Sequence, residues 1–236
     1  MKKVLGVLLV FCLLAATALF LPACGEEEGA LEGQLPTLQV GDQWVWSYVM
    51  EETTYTLTEE VTGEETTEGR DCYVIDMSFD PVISYTQDGV VSTITSMTYW
   101  ADKATALYGV KMETTFTYNG TAFTMTETYS YDPWTSPFPL EIGKEVEVEK
   151  TTITEYSMDG EEQAGEPVVT TEKYTVVSKE DVTVTAGTFS CWKITYYDSA
   201  LDTTQTMWWA DQVKSLVKMT DAEGNTIMEL QSYSVS

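Results

Sequence analysis

The chain has 236 residues, with 12 Lys+Arg against 38 Asp+Glu and no histidine, giving a formal charge of −26. Its 43% hydrophobic and 12% aromatic content can build a core, which excludes wholesale disorder. The acidity argues against nucleic acid as a partner, because phosphate is bound by clustered cations. Without histidine there is no Ser-His-Asp or Cys-His machinery, no imidazole metal site and no His-based pH switch.

Met1-Lys2-Lys3 is a short positive segment, followed by an uncharged run from Val4 to Phe20 and then Leu21-Pro22-Ala23-Cys24-Gly25. This is the layout of a secretory signal, and it predicts a signal helix over residues 1–23. Leu21-Pro22-Ala23-Cys24 resembles the lipobox of bacterial lipoproteins, with Pro22 where a small residue is usual. The resemblance implies that Cys24 receives a diacylglycerol thioether and anchors the protein to a membrane of the bacterial cell envelope, facing the extracytoplasmic side. Two acyl chains, at about 0.8 kcal/mol per buried methylene, make such an anchor stable. The competing readings are a plain signal peptide and an uncleaved helix, since Val4 to Ala23 is long enough to span. Residues 24–37 read as the lipidated cysteine and an acidic tether. Glu26-Glu27-Glu28 fits a solvated charge run better than a cation site.

From Asp42 onward there is no helical periodicity, while Thr, Tyr, Val and Trp are plentiful. That composition suits pleated, half-buried surfaces. It predicts an all-β fold: an antiparallel curved sheet, half-barrel or sandwich of about a dozen strands. Trp44, Trp46 and Tyr48 fall on one face of one strand and form an aromatic ladder. The ladder is either core or the wall of a groove for an apolar ligand, and these three are the candidate ligand-binding residues. Asp88-Gly89 reads as a hairpin turn between Val82–Gln87 and Val90–Trp100, and Asp159-Gly160 as another turn. Asn119-Gly120 is a two-residue turn that sets a register. It places Tyr118 opposite Thr121, Phe116 opposite Phe123 and Thr114 opposite Met125 on an apolar face. On the polar face Thr117 meets Ala122, Thr115 meets Thr124 and Glu113 meets Thr126. Met112 opposite Glu127 is the one poor pair.

Three landmarks recur in order. Leu38-Gln39-Val40-Gly41-Asp42 matches Leu140-Glu141-Ile142-Gly143-Lys144, Cys72-Tyr73-Val74-Ile75 matches Cys191-Trp192-Lys193-Ile194, and Tyr99-Trp100-Ala101-Asp102 matches Trp208-Trp209-Ala210-Asp211. Two related β-halves are expected, residues 38–131 and 140–236, joined by a Pro-rich connector at 132–139. The Trp-Ala-Asp ends are either stacking platforms or, more simply, strands that end in Asp-capped turns. One of Trp208 and Trp209 must face away from the core.

Cys12 leaves with the signal, so Cys72 and Cys191 remain beside Cys24. Outside the cytoplasm the pair invites a disulfide, which would close a loop of roughly 120 residues. The alternative is two buried thiols, each filling space in its own half. A catalytic cysteine lacks the histidine it would need. Nothing in the spacing of the acids selects a hydrolytic carboxylate pair. Asp221-Ala222-Glu223-Gly224-Asn225 is the nearest approach to a calcium loop and reads as a hairpin turn before Thr226–Tyr233. No metal site, catalytic residue or cofactor is assigned.

Leu38-Gln39-Val40-Gly41-Asp42-Gln43-Trp44, Ala186-Gly187-Thr188-Phe189-Ser190-Cys191-Trp192-Lys193-Ile194 and the Trp-Ala-Asp ends resemble a group of uncharacterised bacterial envelope lipoproteins. These are similar in turn to the lipoprotein carriers of LolA and LolB type, whose curved antiparallel sheet cups acyl chains. The anchor, the aromatic ladder and the all-β body together lead to the expectation of a membrane-anchored, non-catalytic binder of an apolar or amphiphilic ligand; no ligand-contact residue carries over from the carriers. The alternative is a structural or protein-interaction lipoprotein with no ligand pocket.

Overall fold

Apolar and polar residues alternate through most of the body, and the backbone follows that period of two. The structure, a computed structural model, describes residues 33–50, 52–87, 90–105, 108–118, 120–158 and 161–236. The signal, Cys24 and the tether up to residue 32 lie outside these residues, as do Asp88-Gly89, Asn119 and Asp159-Gly160 of the expected turns. The described strands are β1 (Gln43–Met50), β2 (Thr53–Thr67), β3 (Arg70–Asp80), β4 (Ser84–Gln87), β5 (Val90–Asp102), β6 (Gly109–Tyr118) and β7 (Thr121–Asp132). They continue with β8 (Glu145–Met158), β9 (Glu161–Ala164), β10 (Val168–Val184), β11 (Gly187–Asp198), β12 (Thr203–Ala210), β13 (Ser215–Thr220) and β14 (Thr226–Ser234).

Pairing runs β1-β2-β3-β5-β6-β7-β8-β10-β11-β12-β13-β14, every neighbour antiparallel, and β14 returns to β1. Among the described residues, twelve strands thus close into an up-and-down barrel, with β4 added to β5 and β9 to β8. The fold is all-β and antiparallel, as the sequence predicts, but it is neither half-barrel nor sandwich. Closure removes the long unpaired edges that an open cup would present.

Side chains directly opposite in a ladder share a face, so the register identifies the lumen. Trp44 lies across from Glu59, Trp46 from Leu57 and Tyr48 from Tyr55. All three aromatics of the ladder are 0% exposed. A twelve-stranded ring is wider than the eight-stranded kind that ordinary side chains just fill. Here the filling is large: Trp44, Trp46, Trp209, Tyr48, Tyr108 and Tyr174 are all fully buried. Pliable methionines such as Met97, Met112, Met207 and Met228 are buried among them. Burying a side chain of Phe or Met size contributes roughly 1.5–3 kcal/mol. Bulges at Val61/Gly63 and Val176/Ser178 add local twist to the two longest strands.

The β6–β7 ladder has the predicted register throughout, from Tyr118 opposite Thr121 down to Met112 opposite Glu127. Of the adjacent tryptophans, Trp209 is buried in the core, while Trp208 is half-buried and donates its indole N–H to Glu180 at 2.7 Å. The segments that matched in sequence carry matching bonds. Gly41 N–H donates to the Val61 carbonyl and Gly143 N–H to the Val176 carbonyl, both at 2.8 Å. At the Trp-Ala-Asp ends Trp100 sits opposite Val74 and Trp208 opposite Lys193, so relative to the matched cysteine segments Trp100 holds the position of Trp208, one residue from Trp209.

Antiparallel neighbours alternate direction, so the connections fall at two ends. One end collects the segment from Gly33, the connector between β7 and β8, and the C-terminus. There Gly33 N–H donates to Asp211 Oδ2 at 3.0 Å, Leu38 N–H to the Tyr73 hydroxyl at 3.0 Å, and Ser236 N–H to Asp42 Oδ1 at 2.9 Å. The connector is pinned by Trp134, whose indole N–H donates to buried Asp102 at 2.9 Å beneath the Arg70 guanidinium. Phe138 and Leu140 plug this end. Asp102 and Asp211 therefore hold turns and indoles, and form no stacking platform.

Cys72 and Cys191 are buried free thiols, which corrects the candidate disulfide. β3 pairs with β2 and β5, and β11 with β10 and β12, so no ladder brings the two together. Cys72 packs with Trp100 and Val110 in a small satellite cluster, and Cys191 joins the main core. Burial pushes the Cys72 thiol up to about 11, helped by nearby Asp102, and the Cys191 thiol up to about 12, helped by Asp181.

Candidate functional site

Strand lengths make one wall of the barrel taller than the rest. β10 pairs with β8 only as far as Thr152, whereas β7 follows β8 up to Met158. β9 then lies against Glu155–Met158. On the other flank β3 leaves β5 at Met97, and β4 takes over from Thr93. The sheet β4-β5-β6-β7-β8-β9 thus rises past the ring at the end opposite the connector, carrying its inner face with it.

That inner face is aromatic. Phe116 stacks on Phe123 with ring centroids 4.9 Å apart, and Tyr85 meets Phe116 edge-on at 6.5 Å. Beyond them is a cleft of about 580 Å³ lined by Tyr118, Phe123, Tyr156, Ser157, Met158, Glu161, Glu162 and Gln163. Register places Phe123 across from Met158, Tyr156 across from Met125, and Met158 across from Glu161. The cleft floor therefore continues the lumen face. Tyr118, Tyr156 and Met158 are 45%, 38% and 52% exposed, which is unusual for large apolar groups on a face that is elsewhere sealed.

Below the cleft the same face turns polar. Glu127, 4% exposed, accepts the Tyr129 hydroxyl at 2.9 Å. Lys150 Nζ sits 4.8 Å from the Tyr129 ring centre and donates to Glu172 Oε1 at 3.0 Å. The Tyr174 hydroxyl donates to Glu172 Oε2 at 3.0 Å. Asp198 lies directly across from Glu172. Burial holds its carboxyl above the usual range and nearby Glu172 adds to this, while the Ala200 N–H and Lys150 pull the other way. Burial likewise raises the phenols of Tyr174 and Tyr196 well above their ordinary value, with Glu172 adding to both. An ion pair so buried gains Coulomb energy but has lost the hydration of both charges, so its tyrosine partners matter.

The candidate ligand residues Trp44, Trp46 and Tyr48 belong to the packed lumen and not to the cleft. In a closed ring the ladder faces opposing core instead of an open groove. The Trp46 indole N–H and the Tyr48 hydroxyl have no protein partner among the described residues. Burial also raises the Tyr48 phenol. Sequence reasoning missed the polar belt and the cleft, although a signal for the belt was present. Lys150 follows Val146 and Val148 on the inner face of β8, Glu172 precedes Tyr174 and Val176 on β10, and Asp198 follows Ile194 and Tyr196 on β11. Each is a charge on the apolar face of an alternating strand. The mismatch of Met112 with Glu127 marks the same belt.

No family model matches the chain, and no curated protein matches it. Among solved structures it is similar to a candidate exported protein with a YmcC-like fold from Bacteroides fragilis, at 12% identity over 86% of this chain and 99% of that one, with a TM-score of 0.40. It is also similar to a candidate lipoprotein from Parabacteroides distasonis, at 13% identity over 86% and 99% of the two chains, with a TM-score of 0.39. Likeness at that distance assigns neither a family nor a role.

Proposed function

We propose that this protein is a lipid-anchored extracytoplasmic lipoprotein that binds an amphiphilic ligand without catalysis, in the cleft at the end of the barrel opposite its tether. The observation that carries the reading is the cleft itself: an aromatic and Met floor, half open, continuous with a sealed core and rimmed by polar groups. Ligand sites combine those features, an apolar concavity with a few polar groups that orient the ligand. The lipobox-like Leu21-Pro22-Ala23-Cys24 supports the anchor. The chain reaches the body at Gly33, on the connector side, the end opposite the cleft. A non-catalytic role fits the absence of histidine and the structural engagement of Glu127 and Glu172. The matched bonds of Gly41 and Gly143 support two related halves as the origin of the ring.

The test is to purify the processed lipoprotein from membranes, measure its intact mass under native and denaturing conditions, and extract what is released. The expected result is a diacylglycerol increment lost in Cys24→Ser and a stoichiometric amphiphile lost in Phe123→Ala/Tyr156→Ala. A protein that is empty as isolated and takes up no added amphiphile sinks the binding role and favours a docking module.

A further inference from the structure

We infer that the cleft selects an organic cation, an ammonium group carried on an apolar body. The inference rests on the amphiphile reading and narrows it to one sign of charge. Among the described residues that line the cleft the charged ones are Glu161 and Glu162, and none is Lys or Arg; Glu161 lies across from Met158 on the floor face, and Glu162, across from Ser157, on the alternate face. Tyr118, Phe123 and Tyr156 supply aromatic rings, whose negative faces attract a cation and offer nothing comparable to an anion. One step deeper on the same face is Glu127, 4% exposed, two residues along β7 from the Met125 that faces Tyr156. Its charge reaches the cleft, since Glu127 adds to burial in raising the Tyr156 phenol. The next cation along that face is Lys150, already 3.0 Å from Glu172. The chain's charge of −26 adds a long-range field of the same sign. An anion entering the cleft would exchange hydration for like charge, and a neutral body would gain apolar contact alone. A cation gains both ring faces and carboxylates.

The experiment uses the full chain in nanodiscs of uncharged digalactosyldiacylglycerol, which carries no ammonium group, with empty nanodiscs as the blank and calorimetric titration as the readout. The probes are benzyltrimethylammonium, its uncharged isostere neopentylbenzene, and the anion phenylmethanesulfonate. The expected result is that the cation binds about tenfold or more tightly than the isostere, a preference of ~1.4 kcal/mol, and that the anion does not bind. Raising salt from about 20 to about 500 mM should erode the preference, because charges this exposed are screened. Glu161→Gln/Glu162→Gln, both exposed and outside the core, should bring the cation down to the level of the isostere, and Phe123→Ala should weaken both. Equal binding of cation and isostere, or tighter binding of the anion, overturns the charge selection and leaves the amphiphile reading standing. No binding of any probe overturns both.

Discussion

Lys150→Met is the sharpest test of the lumen. In the native protein Lys150 Nζ is 3.0 Å from Glu172 Oε1, with the two side chains 9% and 3% exposed, so solvent screens the pair very little. At that separation and an effective dielectric near 20 the attraction is about 5–6 kcal/mol. Desolvation of the two ions offsets much of that, so the intact pair contributes little net. Removing only the lysine is another matter. Glu172 stays buried beside Asp198 with only tyrosine hydroxyls such as that of Tyr174 to donate to it, and the expected loss is about 3–5 kcal/mol. For a domain of this size that lowers Tm by roughly 6–20 °C. The double variant Lys150→Met/Glu172→Gln should recover most of the loss, since a neutral amide in the same place needs no counter-ion. Urea denaturation of both variants at neutral pH measures the two losses. A single-variant loss under about 1 kcal/mol, where a buried pair predicts several, would refute the ion-pair account. So would a double variant no more stable than the single one.

Asp198→Asn should stabilise the protein at neutral pH. The folded carboxyl holds its proton more tightly than the unfolded one, so wild-type stability falls as pH rises from the ordinary Asp range through the raised folded value. Asparagine keeps an acceptor for the Ala200 N–H, 2.7 Å away, without the charge. Its advantage in a denaturation series should vanish at low pH, and a less stable variant at pH 7 would contradict the argument. Gly109→Ala should cost about 1–3 kcal/mol, because a Cβ there collides with the Tyr99 ring in the packed lumen; an unchanged melting temperature would show that the ring has room to move. Cys72 and Cys191 should resist alkylation in the folded protein at pH 8 and react promptly in denaturant, as peptide mapping would show. Tyr48→Phe should leave Tm unchanged or raise it, because the hydroxyl is buried with no protein partner among the described residues. A clear drop in Tm would show that the hydroxyl is satisfied in the native lumen.

Much of the local structure was legible in the residues alone. The strands, the alternation of their faces and the whole β6–β7 register follow from Asn119-Gly120 and from the period-two pattern around it, because turn geometry and cross-strand neighbours act over a few residues. That one of Trp208 and Trp209 must face outward follows from the same alternation. Closure did not follow. Whether β14 finds β1 depends on accumulated twist and on the total volume of side chains inside, quantities no short stretch of sequence carries. Closure then decided the rest. It turned the Trp44-Trp46-Tyr48 ladder from a groove wall into sealed core, and it kept Cys72 and Cys191 on strands that never pair. It also gathered Glu127, Lys150, Glu172 and Asp198, each visible in sequence only as a charge on the wrong face, into one buried belt. The cleft arose where β7 and β8 outrun their partners, and strand ends are set by what the neighbouring strand supplies, so only the assembled sheet could place it.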